Sequence, residues 1–219
     1  MIGDKVNTQP KHVKAAGEIY ALVAPSLGQR MAFTVAGQSG AGKSEIAVEL
    51  ARLFEEAGLK TYIFQQDDYF HYPPRTNHHR RVDDIAWVGP QEVDLKRLDA
   101  HLDAFKHAPA RNLEKPLVVF GEDRIITEQV DLSPFSVVIA EGTYTTLLVS
   151  ADYRVFIDRD YFDTREDRKD RGREVVDEFS ERVLKIEDAI ISKHRDRADI
   201  LVDKNFSVRM AERPDRSEE

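Results

Sequence analysis

The stretch Gly37-Gln38-Ser39-Gly40-Ala41-Gly42-Lys43-Ser44 decides how this chain is read. It fits G-x-x-x-x-G-K-[ST], the P-loop pattern, and phosphate chemistry asks for these residue types. Glycines let the backbone curl until several N–H groups face one phosphate, Lys43 adds a mobile positive charge, and Ser44 offers a hydroxyl to Mg²⁺. The flanks supply the context the motif needs. Met31-Ala32-Phe33-Thr34-Val35-Ala36 reads as a buried strand running into the loop, and Ile46, Leu50, Leu53 and Phe54 recur at helical spacing after it. The loop therefore opens a helix whose N-terminal dipole favours an anion.

Downstream, Gly58 closes that helix and Thr61-Tyr62-Ile63-Phe64 suits a second buried strand, so the alternation indicates a mainly parallel sheet. Gln66-Asp67-Asp68-Tyr69 follows at the carboxyl end of the strand, where open α/β sheets place their ligands. A carboxylate there can orient a hydroxyl acceptor and take its proton, which makes Asp67 a candidate base. The plainer alternative is an aspartate that caps a turn. Residues 71–89 carry Pro73-Pro74, three histidines, three arginines and the only tryptophan, and read as a long functional loop. Arg80, Arg81, Asp84 and Trp87 are its candidate substrate contacts, with Tyr69 just before it. His78 and His79 are adjacent, so they do not share a face as metal ligands would.

From Pro90 the apolar residues Val93, Leu95, Leu98, Leu102 and Phe105 predict a helix. Two short strands bracket Gly121-Glu122-Asp123 as a hairpin insertion over about 116–127, beside the acceptor, with Asp123 a further candidate contact. Ser136-Val137-Val138-Ile139-Ala140-Glu141-Gly142 is a buried strand ending in a carboxylate, and Glu141 is placed to hold Mg²⁺ together with Ser44. Tyr153 to Asp158 supplies another strand. Residues 161–175 mix arginines with acids. They read either as a solvated helix face or as a helical lid in which Arg165, Arg168, Arg171 and Arg173 close over phosphates, with Gly172 as the hinge. A helix around Val183, Ile186 and Ile190 precedes the strand Ala198 to Val202, the loop 203–206 is placed near an adenine, and 209–219 form a polar tail.

Composition bounds the rest. The 219 residues suit one α/β domain over 1–208; 33% are charged, 41% are hydrophobic, and no run is long enough to cross a bilayer. No secretory signal is visible and there is no cysteine, which excludes disulfides and thiolate metal sites and makes a cytoplasmic location the simplest expectation. A net charge of −8 argues against nucleic acid as a partner. The exposed hairpin offers a surface for a homo-oligomer.

The order of these parts resembles the uridine kinase and phosphoribulokinase family of P-loop kinases over most of residues 31–203. Gly37 to Ser44 looks like the family's P-loop, and Gln66-Asp67-Asp68-Tyr69-Phe70 like its Gln-Asp-Ser-Phe-Tyr stretch, with Asp67 in the place of the acceptor base. Val138 to Gly142 is similar to its acid-glycine strand end, Arg171-Gly172-Arg173 to its lid arginines, and Ala198 to Leu201 to its last strand. The resemblance implies a three-layer α/β/α fold, ATP with Mg²⁺, and phosphorylation of a primary hydroxyl on a small molecule. Uridine kinases of that family read the pyrimidine with a histidine between hairpin and acid strand; Glu122, Asp123 and Arg124 stand there in this chain. Glu166 stands where the first lid arginine aligns.

The reading is thus an ATP-dependent small-molecule kinase in which Lys43, Asp67, Arg168, Arg171 and Arg173 act on the transfer. The rival is a nucleotide-dependent switch without an acceptor. Switch proteins that read guanine carry Asn-Lys-x-Asp, and this chain has only Asp203-Lys204-Asn205.

Overall fold

The computed structural model describes residues 6–28, 30–107, 112–165, 168 and 177–212. The chain runs α1 (Pro10–Val23), β1 (Met31–Gly37), α2 (Lys43–Glu56), β2 (Thr61–Gln65), α3 (Pro74–Asp83), α4 (Leu95–His107), β3 (Leu113–Val119), β4 (Arg124–Val130), β5 (Val137–Glu141), β6 (Tyr153–Ile157), α5 (Glu178–Ile191), β7 (Ile200–Val202) and β8 (Val208–Met210), with short 3₁₀ turns between. The main sheet has the order β2-β5-β1-β6-β7-β8; its first five strands are parallel, and β8 is antiparallel to β7. β3 and β4 pair antiparallel as a separate hairpin.

Strand periodicity builds the layers. Along β1, Phe33 and Val35 point into one core and Ala32 and Ala36 into the other, because successive side chains leave opposite faces of a strand. β5 divides likewise, Val137 and Ile139 to one side and Val138 and Ala140 to the other. The first core lies under α1 and α2, where Ala15, Ala16, Ile19, Ile46, Leu50 and Phe54 cover the sheet; the second holds Leu98, Leu102 and Phe105 of α4. The result is a three-layer α/β/α P-loop fold, with β1 central and delivering its C-terminal end to the loop. Among the described residues no helix is long and apolar enough to cross a membrane.

Four expectations change. Residues 71–89 are not a structureless loop, since α3 and a 3₁₀ turn at Ile85–Trp87 occupy much of that segment. α3 escaped notice because its one buried residue is Asn77 and polar contacts hold it in place. The hairpin is longer, 113–130, and the sheet gains β8 at the start of the polar tail. On α5 the buried stripe is Val183, Leu184, Glu187 and Ile191, so Ile186 and Ile190 stand beside it.

Candidate active site

The P-loop links β1 to α2 in tight turns. Gln38 O accepts hydrogen bonds from Ala41 N at 3.0 Å and from Lys43 Nζ at 3.0 Å, so the lysine lies back over its own loop. Gln38 itself is buried; its side chain donates to Leu184 O of α5 at 3.0 Å and accepts from Ser39 N at 2.9 Å. Gly40 has φ +75°, and a Cβ there would stand 2.7 Å from Cγ of Arg168. The residue before α2, Gly42, packs against His12 and Phe206, which places the 203–206 loop beside the P-loop.

Two further strand ends converge here. Glu141 closes β5, in register with Val35 of β1 and Gln65 of β2, and its carboxylate accepts a hydrogen bond from Ser44. Gly142 comes next, because a Cβ at that position would lie 2.2 Å from Cβ of Gln66. The close approach lets Gln66 Oε1 accept from Tyr144 N at 2.6 Å, locking the turn after β2 to the turn after β5. That first turn is the 3₁₀ segment Gln66–Tyr69, which carries Asp67.

The two carboxylates in this convergence are electrostatically stressed. Desolvation raises Glu141 to about 7, with Lys43 pulling down and Asp67 pushing up. Asp67 is open to solvent on the cleft side and walled by protein elsewhere; loss of water contact raises its pKa, again opposed by Lys43. Such an oxygen-rich, partly dehydrated set suits a hard divalent cation that borrows further ligands from phosphates. Among the described residues no group of three or more His, Asp or Glu could hold a metal by itself. Ser44 and Glu141 are the residues here that could contribute to holding a divalent cation.

A cleft of about 340 Å³ opens above these groups, and Ser39, Gly40, Lys43, Ser44, Asp67, Glu141 and Arg168 line one side. Arg168 donates to Tyr161 O at 2.9 Å and to the Thr164 hydroxyl. Arg165 faces away, 3.6 Å from Glu181. Arg171, Arg173 and Gly172 lie outside the described residues.

The expected substrate contacts fare differently, because five of the seven are not among the cleft-lining residues. Tyr69 is buried, its hydroxyl 2.8 Å from His101 Nδ1. Arg80 lies over the Tyr72 ring on the outside. Asp84 accepts from Ala86 N at 2.9 Å as a turn cap, and Trp87 Nε1 donates to Asn77 Oδ1 at 2.9 Å. Asp123, at the hairpin tip, accepts from Arg75 N at 2.7 Å and from the Thr76 hydroxyl at 2.8 Å, joining the hairpin to the start of α3. Asp67 and Arg81 line the cavity.

The opposite side of the cleft comes from residues not expected as substrate contacts: Phe70, Asn77, His78, Phe120, Phe179 and Glu187. Arg81 on α3 ties this wall together, donating through Nε to Glu92 at 2.6 Å and through Nη2 to Glu92 and Glu187, each at 3.1 Å. One signal was available, since Glu187 falls on the apolar stripe of its helix with Val183, Leu184 and Ile191.

Comparison with known proteins bears on the family and the fold. A family model described as Phosphoribulokinase / Uridine kinase family matches residues 33–211. Among curated proteins, the bifunctional alpha-galactosidase/sucrose kinase AgaSK of Mediterraneibacter gnavus is 28% identical over 214 residues, covering 90% of this chain but only 23% of its own length. The uridine kinase of Brevibacillus brevis is 28% identical over 174 residues, covering 77% of this chain and 75% of that protein. Among solved structures, phosphoribulokinase from Rhodobacter spheroides superimposes with a TM-score of 0.59 at 13% identity, over 79% of this chain and 69% of that one.

Proposed function

Because the chain belongs to the phosphoribulokinase and uridine kinase family, we propose that it transfers the γ-phosphate of ATP to a hydroxyl of a small molecule in the cleft between its two walls. The carrying observation is the convergence of Asp67 with Lys43, Ser44 and Glu141 on one cavity. A nucleotide switch needs no carboxylate facing open space beside its phosphates, and kinase relatives favour the transferase reading. The names of those relatives, a sucrose kinase unit and a uridine kinase, span sugar and nucleoside acceptors.

In this reading the amides of Gly37 to Gly42 cradle the phosphates, and Lys43 swings from Gln38 O to the β- and γ-phosphates. Ser44 and Glu141 would hold Mg²⁺, which would supply charge neutralisation for the nucleotide. Asp67 orients the acceptor hydroxyl and takes its proton as the oxygen attacks in line. Arg168, joined by Arg171 and Arg173, offsets charge spreading over the transferred group.

The test is release of ADP by the full chain with and without hydroxyl acceptors, repeated with Asp67→Asn. Acceptor-dependent release is expected, and the variant should lose about a hundredfold in kcat with ATP affinity nearly intact. Since the base must be ionised and its pKa is raised by desolvation, wild-type activity should fall with pH above the ordinary carboxylate range. Slow hydrolysis indifferent to every acceptor would return the chain to the switch class, and a fully active Asp67→Asn would remove Asp67 from the mechanism.

A further inference from the structure

One side chain of the P-loop reaches the helix that builds the opposite wall. Gln38 is buried and is not among the cleft-lining residues, although its neighbours Ser39 and Gly40 are. Its Nε2 donates to Leu184 O of α5 at 3.0 Å, and its amide also hydrogen-bonds the Asp188 carboxylate one turn further along that helix. On the loop side, its Oε1 accepts from Ser39 N at 2.9 Å. The partners dictate which way the amide faces, because a carbonyl and a carboxylate only accept and a backbone N–H only donates. α5 in turn supplies Phe179, Ser180, Val183, Leu184 and Glu187 to the cleft.

The donors that Gln38 holds on the loop side are those a nucleotide claims. Lys43 Nζ donates to Gln38 O at 3.0 Å, and Ser39 N to Gln38 Oε1. In the kinase reading Lys43 swings to the β- and γ-phosphates, and the loop amides, Ser39 N among them, turn to phosphate oxygens. Those oxygens are charged and so are the stronger acceptors. Phosphate binding therefore draws two donors away from Gln38 together. A buried amide that loses partners cannot turn to water, and leaving its groups unpaired is costly. Its bonds to α5 are then the ones it must keep.

Resting on the kinase reading above, we propose that Gln38 is a positioning residue that couples nucleotide binding to the acceptor wall. Occupation of the P-loop fastens α5, so the helix that carries Glu187 is held most firmly once the phosphates are bound. By linkage the coupling is reciprocal: a molecule that steadies α5 from the acceptor side tightens the nucleotide by the same factor.

The experiment is amide hydrogen exchange on the full chain, nucleotide-free and saturated with AMP-PNP and Mg²⁺, with the affinity measured by calorimetry on the same preparation. α4, packed in the second core, is the internal reference. The amides of Glu187 to Ile191 should slow about tenfold or more relative to α4 when the loop is loaded. Gln38→Met fills similar space without the amide and should lose most of that protection. Each protein is compared at saturation, so a weaker affinity in the variant does not move this readout.

Wild-type α5 exchanging alike with and without nucleotide would make Gln38 a plain tether and overturn the inference, with nucleotide binding still in place. Protection that survives in a folded Gln38→Met would remove Gln38 as the coupling residue. Failure to bind AMP-PNP at all would overturn the inference and the kinase reading together, whereas acceptor-dependent ADP release tests that reading separately. The wild-type comparison decides the coupling even if the variant fails to fold.

Discussion

The two walls of the cleft are built in opposite ways. The phosphate wall is nearly all local: eight consecutive residues, Gly37 to Ser44, form it, and Glu141 is delivered by a strand two places from β6 in the sheet. The acceptor wall is assembled from distant segments: Arg81 reaches Glu187 across 106 positions, and Lys115 reaches Asp68 across 47. A local wall is positioned by backbone geometry its own residues dictate, whereas an assembled wall depends on buried polar contacts between elements. Lesions in the first should register as lost rate and lesions in the second as lost stability.

Asp67 and Asp68 put that contrast into adjacent residues. Asp67 opens to the cleft, while Asp68 is buried, accepting from Lys115 Nζ at 2.9 Å and from Val118 N at 3.0 Å. Lys115, itself 3% exposed, thereby fastens the hairpin to the turn that carries the candidate base. Lys115→Met removes the cation that meets the buried Asp68 carboxylate at 2.9 Å, and should cost about 3–5 kcal/mol in urea unfolding. Adding Asp68→Asn should recover part of that loss, and Asp67→Asn should leave the midpoint nearly unchanged. Equal destabilisation by Asp67→Asn and Lys115→Met would erase the distinction between the walls.

The same turn is held from behind by Tyr69 and His101, and here pH is the lever. Burial lowers His101 from 6.5 to about 4, with Arg97 and Lys115 acting in the same direction. Above pH 6.5 both the folded and unfolded imidazole are neutral, so this stability is whole. As pH falls from 6.5 towards 4 the unfolded chain takes up a proton that the native site refuses, and stability declines until the native site also protonates. The gap corresponds to roughly 3 kcal/mol. His101→Gln keeps a hydrogen-bond partner for the Tyr69 hydroxyl and should flatten the decline between pH 6.5 and 4. An unchanged slope would show that His101 does not carry it.

This contrast also explains what could be read from the sequence. β1, β2, β5, β6 and β7 announce themselves as apolar runs because helices cover both faces of the sheet, and the residues after their carboxyl ends, Asp67 and Glu141 among them, follow from the architecture. β8 did not, since Val208–Met210 is a short edge strand with little buried surface. α3 is the instructive failure: apolar periodicity measures burial of apolar side chains, and this helix is docked by Asn77, Arg81 and a cap from another element. Tyr69, Trp87 and Asp123 drew attention as residue types suited to binding, yet each spends its polar atoms on holding the acceptor wall together. Residue type is visible in a sequence, but the partner that uses it is not.

Asp123 gives the smallest and most discriminating of these tests. Its carboxylate lies at a left-handed turn, φ 49°, between β3 and β4, and accepts from the first amides of α3, Arg75 N and Thr76 N at 2.7 and 3.2 Å. It thus does for α3 what a capping residue ordinarily does from within the same helix, but from the hairpin tip. Asp123→Ala should cost about 1 kcal/mol, on the scale of a lost helix cap. Because α3 carries Arg81, loosening its first turn should also raise the acceptor KM severalfold while the KM for ATP stays put. Asp123→Asn keeps an acceptor oxygen and should recover most of both effects. If Asp123 instead touched the acceptor directly, the alanine variant would lose acceptor binding with no change in the unfolding midpoint, and the hairpin tip would belong to the cleft rather than to its scaffold.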